Sequence, residues 1–193
     1  MLRFARTLFA TALLSASLAQ AAVTVGNVEF PPQQTVQQRA LELNGAGLRT
    51  RLGFKVYAMG LYLRAPQTDA AAIIGDKGEQ RIRIVLTRDL EARQFGDALQ
   101  AGLEKNHDPA ALAALKPATD TLLAALNAVG EVNTGTEIVL DRLSNGATRL
   151  LVDGTQQGGD IADAAFYPAL LRIWLGERPA DSDLRDALLR RPQ

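Results

Sequence analysis

Apolar and polar positions along this chain predict strands first and helices later. The strongest strand pattern is Phe54 to Leu63, FKVYAMGLYL. One face carries Phe54, Val56, Ala58, Gly60 and Tyr62, and the other Lys55, Tyr57, Met59, Leu61 and Leu63. Both faces are largely apolar, which predicts a central strand covered on both sides. Upstream, Val23 to Phe30 alternates and stops at Pro31-Pro32, which reads as one short strand. Thr35 to Leu43 predicts a second strand that runs on into Gly45 and Gly47. In a regular strand Leu41, Leu43, Gly45, Gly47 and Arg49 share a face. Glycine weakens a strand unless another backbone must approach closely.

Thr68 to Gly75 predicts a short helix capped by Thr68 or Asp69. Gln80 to Thr87 alternates as a strand. A helix follows from about Glu91 to Lys105, with Phe95, Ala98, Leu99, Gly102 and Leu103 on its buried stripe. Ala110 to Val129 is helical and expected to bend or break near Pro117. Thr136 to Leu143 and Ala147 to Val152 form a hairpin around Asn145-Gly146, a strong turn signal. Asp153 to Gly159 reads as a loop, Asp160 to Leu175 as a helix, and Ser182 to Arg190 as a last helix capped by Ser182. Hairpins dominate and the helices come in clusters, so the fold class is α+β with a mostly antiparallel sheet packed against a layer of helices.

The first 21 residues stand apart. Arg3 and Arg6 precede an apolar run from Leu8 to Leu18, then Ala19-Gln20-Ala21. That is the three-part pattern of a secretory signal peptide cleaved after Ala21, and it predicts a periplasmic protein. The run is too short for a membrane anchor, which takes roughly 20 residues. No cysteine follows to carry a lipid. Residues 22–193 then form a single domain by the usual size expectation. No later segment is long and apolar enough to span a membrane. The chain balances 21 basic against 21 acidic residues, and losing Arg3 and Arg6 leaves it slightly acidic. No basic patch argues for nucleic acid. The absence of cysteine excludes thiolate catalysis and cysteine-ligated metals. Asp153, Asp160 and Asp163 lack metal-ligand spacing, so they read as a solvated loop, and no cofactor motif is present. His107 has no nucleophile nearby and Trp174 reads as core. Nothing in the sequence argues for more than a monomer or weak oligomer.

Two segments, LNGAGLRTRLGFKVYAMGLYL (Leu43 to Leu63) and FYPALLRIWLGERPADSDLRDALL (Phe166 to Leu189), together with the element order, make this chain resemble the chalcone isomerase-like superfamily, and within it the exported bacterial branch. The resemblance implies an antiparallel sheet backed by helices with a ligand cleft between them. The family contains chalcone isomerases, noncatalytic relatives and fatty-acid-binding proteins. In the isomerases an arginine on the glycine-approach strand polarises the substrate ketone, and a threonine and a tyrosine hold a water at the carbonyl. Arg49 matches the arginine, while the other two positions fall on Tyr57 and Phe95. Phe95 cannot donate a hydrogen bond, and one such donor at an oxyanion is commonly worth about 3 kcal/mol. Tyr57 in its Val56-Tyr57-Ala58-Met59-Gly60 context is similar to the fatty-acid-binding relatives, which hold a carboxylate with the arginine and a tyrosine.

The expectation is therefore a noncatalytic protein that binds a small amphipathic carboxylate, such as a fatty acid, through Arg49, Tyr57 and Phe95. Two alternatives stand beside it. One is an isomerase (an intramolecular lyase) acting on a chalcone-like phenol-enone through Arg49. The other is a partner-binding scaffold, which predicts a closed or absent cleft and a sizeable exposed apolar patch. A turn centred on Leu52 sets Arg49 opposite Lys55 and Gly47 opposite Tyr57, all on one face. A slip of one residue separates Arg49 from Tyr57.

Overall fold

The computed structural model describes residues 22–190. The secretory-signal reading falls on residues 1–21 and lies outside the described residues.

A curled seven-stranded antiparallel sheet organises the fold. In chain order come β1 (Val23–Val25), β2 (Val28–Phe30), β3 (Gln33–Val36), β4 (Arg39–Arg51) and β5 (Phe54–Leu63). Then follow α1 (Ala70–Gly75), β6 (Gln80–Leu86), β7 (Leu90–Glu91), α2 (Ala92–Asn106), α3 (Pro109–Val129) and β8 (Glu131–Val132). The chain closes with β9 (Glu137–Arg142), β10 (Thr148–Val152), β11 (Thr155–Gln156), α4 (Phe166–Leu175) and α5 (Ser182–Leu189). The sheet runs β11-β10-β9-β6-β5-β4-β3. The expected α+β class and antiparallel sheet are both present, and β5 keeps its expected bounds.

The helices cover one face. Met59, Leu61 and Leu63 of β5, with Ile82 and Ile84 of β6, meet Leu99 and Leu103 of α2, Trp174 of α4 and Leu188 of α5 in the main core. The β1–β2 hairpin covers the opposite face at β4 and β5. There Phe30, Leu41, Leu43, Ala58 and Tyr62 form a second, smaller core. From Tyr57 onward the central strand is therefore buried on both sides, as its largely apolar faces require.

Several elements differ from expectation, each for a local reason. Val23 to Phe30 is not one strand. Gly26, at φ 61°, turns it into the β1–β2 hairpin. Thr35 to Leu43 likewise folds back at Gln37, φ 53°, into β3 and β4. Helix α3 runs unbroken through Pro117. Leu115, Ala118, Leu122 and Leu126 pin it to the core on either side of the proline. The loop after β10 turns at Asp153 and Gly154, φ 47° and 75°, to add β11. Residues 160–165 are not helical. Ile161 pairs with Thr148 instead, and α4 starts at Phe166. The caps of α1 and α5 are Asp69 and Asp181, where a carboxylate accepts the first free N–H groups.

The register of β4 against β5 is the correction with the largest consequence. The hairpin turns at Leu52-Gly53, so Arg51 pairs with Phe54 and Thr50 with Lys55. Continued regularly, that register sets Arg49 against Val56 and turns Tyr57 to the other face. A β-bulge prevents this. Val56 is the extra residue, and Arg49 pairs directly with Tyr57. Neither the expected pairing of Arg49 with Lys55 nor that of Gly47 with Tyr57 forms. Gly47 pairs with Met59.

A second bulge at Asn44 reverses the parity again. Leu41 and Leu43 therefore face the small core, while Gly45 and Gly47 face α5. These two glycines have a steric reason. A Cβ on Gly45 would stand 2.3 Å from the Ala187 carbonyl oxygen, and one on Gly47 would stand 2.7 Å from the Ala187 Cβ. Helix α5 rests directly on the strand backbone. Asn44 uses its bulge to tie that packing, donating from Nδ2 to the Leu188 carbonyl (2.7 Å) and accepting from the Gln67 N–H (2.6 Å).

Candidate functional site

The bulge at Val56 brings Arg49, Val56 and Tyr57 to the wall of one cleft. Helix α2 supplies the opposite wall with Gln94, Phe95, Asp97, Ala98 and Ala101, and Leu90 closes the end. Arg51, Leu52, Phe54 and Arg88 form the mouth. The volume is about 620 Å³, inside the range of about 300–1,000 Å³ usual for small-molecule sites. All three expected site residues, Arg49, Tyr57 and Phe95, meet here.

Tyr57 is 2% exposed. The Phe95 ring meets it edge-on, with centroids 6.2 Å apart and planes at 72°. The Arg49 guanidinium carbon lies 5.6 Å from the Tyr57 ring centroid, within cation–π range. Trp174, from α4, donates its Nε1–H to the Tyr57 hydroxyl oxygen at 2.7 Å. That fixes the phenol as an acceptor toward Trp174. Its own O–H has no acceptor within hydrogen-bond reach among the described residues. Burial pushes the Tyr57 phenol above its ordinary range, with the Arg49 charge and the N–H donors of Trp174 and Arg49 pulling the other way. The phenol stays protonated, a donor, across physiological pH.

Arg49 is in the opposite condition to a structural arginine. It forms no ion pair with any described carboxylate, and its Nε is buried without a partner. Asp181, the acid whose charge reaches Tyr57, is occupied elsewhere. It accepts from the Thr50 N–H (2.9 Å), the Thr50 hydroxyl (3.2 Å) and the Leu184 N–H (3.0 Å). Burial alone would raise its carboxyl, but these donors hold it below the usual range. Two other arginines spend their charge on their own chain. Arg81 makes a bidentate pair with Asp141, 2.7 Å on each arm, and Arg142, whose Nε is also buried without a partner, donates from Nη1 to the Lys77 and Gly78 carbonyl oxygens. A buried polar atom left unpaired is costly, and Arg49 combines one with a place on the cleft wall and no ion pair among the described residues.

Trp174 reads from sequence as core and is indeed 1% exposed, yet it also orients Tyr57 from 117 residues away. A tryptophan at helical spacing in an apolar stripe carries no signal of that bond. A second hollow, of about 1,100 Å³, lies at the other end of β4 and β5 beside α1. It is larger but lined mainly by polar groups, and Arg64 there is paired with Asp76 at 2.9 Å. Asp153, Asp160 and Asp163 each serve the local chain: Asp153 and Asp163 accept backbone N–H groups, and Asp160 pairs with Arg149. His107 sets Nδ1 2.9 Å from the Leu103 carbonyl oxygen at the end of α2.

The family model for chalcone isomerase-like proteins matches residues 22–190. The chain belongs to the chalcone isomerase-like family. Among solved structures, a fatty-acid-binding protein from Arabidopsis thaliana shares the fold, with a TM-score of 0.66. It is 17% identical, and the match covers 88% of this chain and 96% of that one. No curated protein sequence matches the chain. In this family member the positions where the resemblance sets threonine and tyrosine hold Tyr57 and Phe95, packed edge to face across the cleft.

Proposed function

We propose that this chalcone isomerase-like protein binds a small amphipathic carboxylate, such as a fatty acid, and does not transform it. The observation that carries the reading is Arg49, a cation on the cleft wall with a buried Nε–H and no carboxylate partner among the described residues. A ligand carboxylate supplies what is missing. It accepts two guanidinium hydrogen bonds and a third from the Tyr57 O–H, which Trp174 leaves available. The acyl chain then lies along Val56, Leu90, Phe95, Ala98 and Ala101, a mostly apolar track. The fatty-acid-binding relative of the same fold supports this choice of ligand class.

The isomerase reading keeps Arg49 but lacks a donor at Phe95. Losing such a donor commonly costs about 3 kcal/mol of transition-state stabilisation, on the order of a hundredfold in rate. The scaffold reading expects a closed cleft, whereas this one is open. The site residues of the signal pattern, Arg3 to Ala21, support export to the periplasm as the place of action. Isothermal titration with dodecanoate tests the binding reading. Saturable, one-to-one binding is the expected result, and no heat beyond dilution would refute it. Loss of chalcone absorbance above the uncatalysed rate would overturn the noncatalytic part.

A further inference from the structure

The tip of the β4–β5 hairpin has a feature that ligand binding inside the cleft does not use. Leu52 is 89% exposed and Phe54 65% exposed, the exposed large hydrophobics among the described residues. Leu52 also sits at φ 51°, in the left-handed region that a bulky side chain adopts only under strain. Tight turns of this kind favour asparagine or glycine there. The fold gains no burial from leucine at that point and carries its strain.

The charged side chains on the tip are all cations, and Asp97, on the facing wall of the cleft, lies 4.0 Å from Arg93. Arg51, Lys55 and Arg88 pair with no carboxylate among the described residues, and the Arg88 guanidinium carbon lies 5.8 Å from the Phe54 ring centroid. The acids near them are turned away. Asp89 accepts from the Thr134 N–H and hydroxyl, and Asp181 accepts from Thr50. A chain of balanced charge has thus gathered unpaired cations around two protruding apolar side chains. Each cation near an anionic lipid surface is drawn to it by the lipid charge. Apolar side chains inserted between headgroups add to that.

We propose that this tip is a docking element for an anionic lipid bilayer, with Leu52 and Phe54 entering the headgroup layer and Arg51, Lys55 and Arg88 meeting lipid phosphates. The same residues form the mouth of the Arg49 cleft, except Lys55. A docked tip therefore opens the cleft toward the membrane surface. That a fatty acid enters by this route rests on the binding reading above; the docking itself does not.

The chain lacks cysteine, so a single one can be placed for labelling. Leu52→Cys and, as control, Ala114→Cys on the exposed side of α3 are each labelled with an environment-sensitive fluorophore. The full chain is mixed with vesicles of phosphatidylethanolamine and phosphatidylglycerol, or of phosphatidylcholine alone. The label at residue 52 is expected to brighten and shift to the blue on the anionic vesicles only, and the label at 114 to stay unchanged. The otherwise native Leu52→Ser/Phe54→Ser chain is expected to lose roughly tenfold or more in its partition onto those vesicles. Equal response of the two labels, or no loss in the double variant, would overturn the proposal. So would a concentration-dependent dimer that the double variant breaks, without vesicle binding, since the tip would then meet a second copy. Arg49→Met separates the two readings. It is expected to abolish dodecanoate binding and leave vesicle partition intact.

Discussion

Tyr57→Phe removes one hydroxyl from the cleft and leaves its shape intact. The Trp174 Nε1–H, buried and bonded at 2.7 Å, then has no acceptor. An unmade buried donor costs about 1–3 kcal/mol. In a folded unit of this size each kcal/mol moves Tm by about 2–4 °C, so the midpoint is expected to fall by about 6 °C. The same variant loses the hydrogen bond offered to a bound carboxylate. A hydrogen bond to a charged group is worth about 1.5–3 kcal/mol, so Kd for dodecanoate is expected to rise by about 10–100-fold. Trp174→Phe removes the donor instead. It lowers stability by the lost bond and the space vacated, but the phenol can still serve the ligand. The double variant leaves neither partner stranded. Its stability loss is expected to be smaller than the sum of the single losses by about 1–2 kcal/mol. Circular dichroism melts and calorimetric titration of the four proteins read both effects. Strictly additive losses, or a Tyr57→Phe protein that melts and binds as the parent does, would refute the role given to this bond.

Other consequences concern the frame of the site. Gly45→Ala places a methyl 2.3 Å from the Ala187 carbonyl oxygen and 2.7 Å from that of Leu188. Neither is a flexible side-chain end, so α5 must lift, and a loss of about 1–3 kcal/mol is expected in urea unfolding. A neutral variant there would mean that α5 is not held against β4. At high pH the buried tyrosines become a liability. Burial raises Tyr57 and Tyr167, and raises Tyr62 to about 12. Their phenols hold protons in the folded chain that the unfolded chain releases near pH 10. Stability is therefore full below pH 10 and expected to fall as pH rises from 10 toward 12. Tyr62→Phe is expected to flatten part of that fall in melts taken at successive pH values, and an unchanged slope would contradict it.

The legible parts of the fold are those written in local pattern. The largely apolar faces of Phe54 to Leu63 mark a central strand, Asn145-Gly146 marks a hairpin, and the stripe from Phe95 to Leu103 marks a buried helix face. The strand pairings are less legible, because they depend on residues that the ladder leaves out. Val56 and Asn44 look like ordinary strand residues, yet each is the extra member of a bulge that flips the facing of its neighbours. Arg49 and Tyr57 do share a face, but by way of a bulge, and an unbroken register from the Leu52-Gly53 turn would have parted them. The turn at Gln37 was hidden for a related reason. It places a residue other than glycine at positive φ, with no glycine, asparagine or aspartate beside it as a cue. The Trp174–Tyr57 bond spans too much sequence to be read from either segment.

Arg49→Met offers the sharpest single comparison, because the variant should separate stability from binding. A thermal melt of parent and variant, each with and without dodecanoate in large excess, reads both. Without ligand, removing a cation whose Nε is buried and unpartnered should leave the variant at least as stable as the parent. With ligand at about a hundred times Kd, the parent gains about 2.7 kcal/mol, on the order of 5–10 °C, and the variant should gain almost nothing. A variant that unfolds early on its own but keeps the full ligand-induced rise would contradict the account, and would make Arg49 a structural residue.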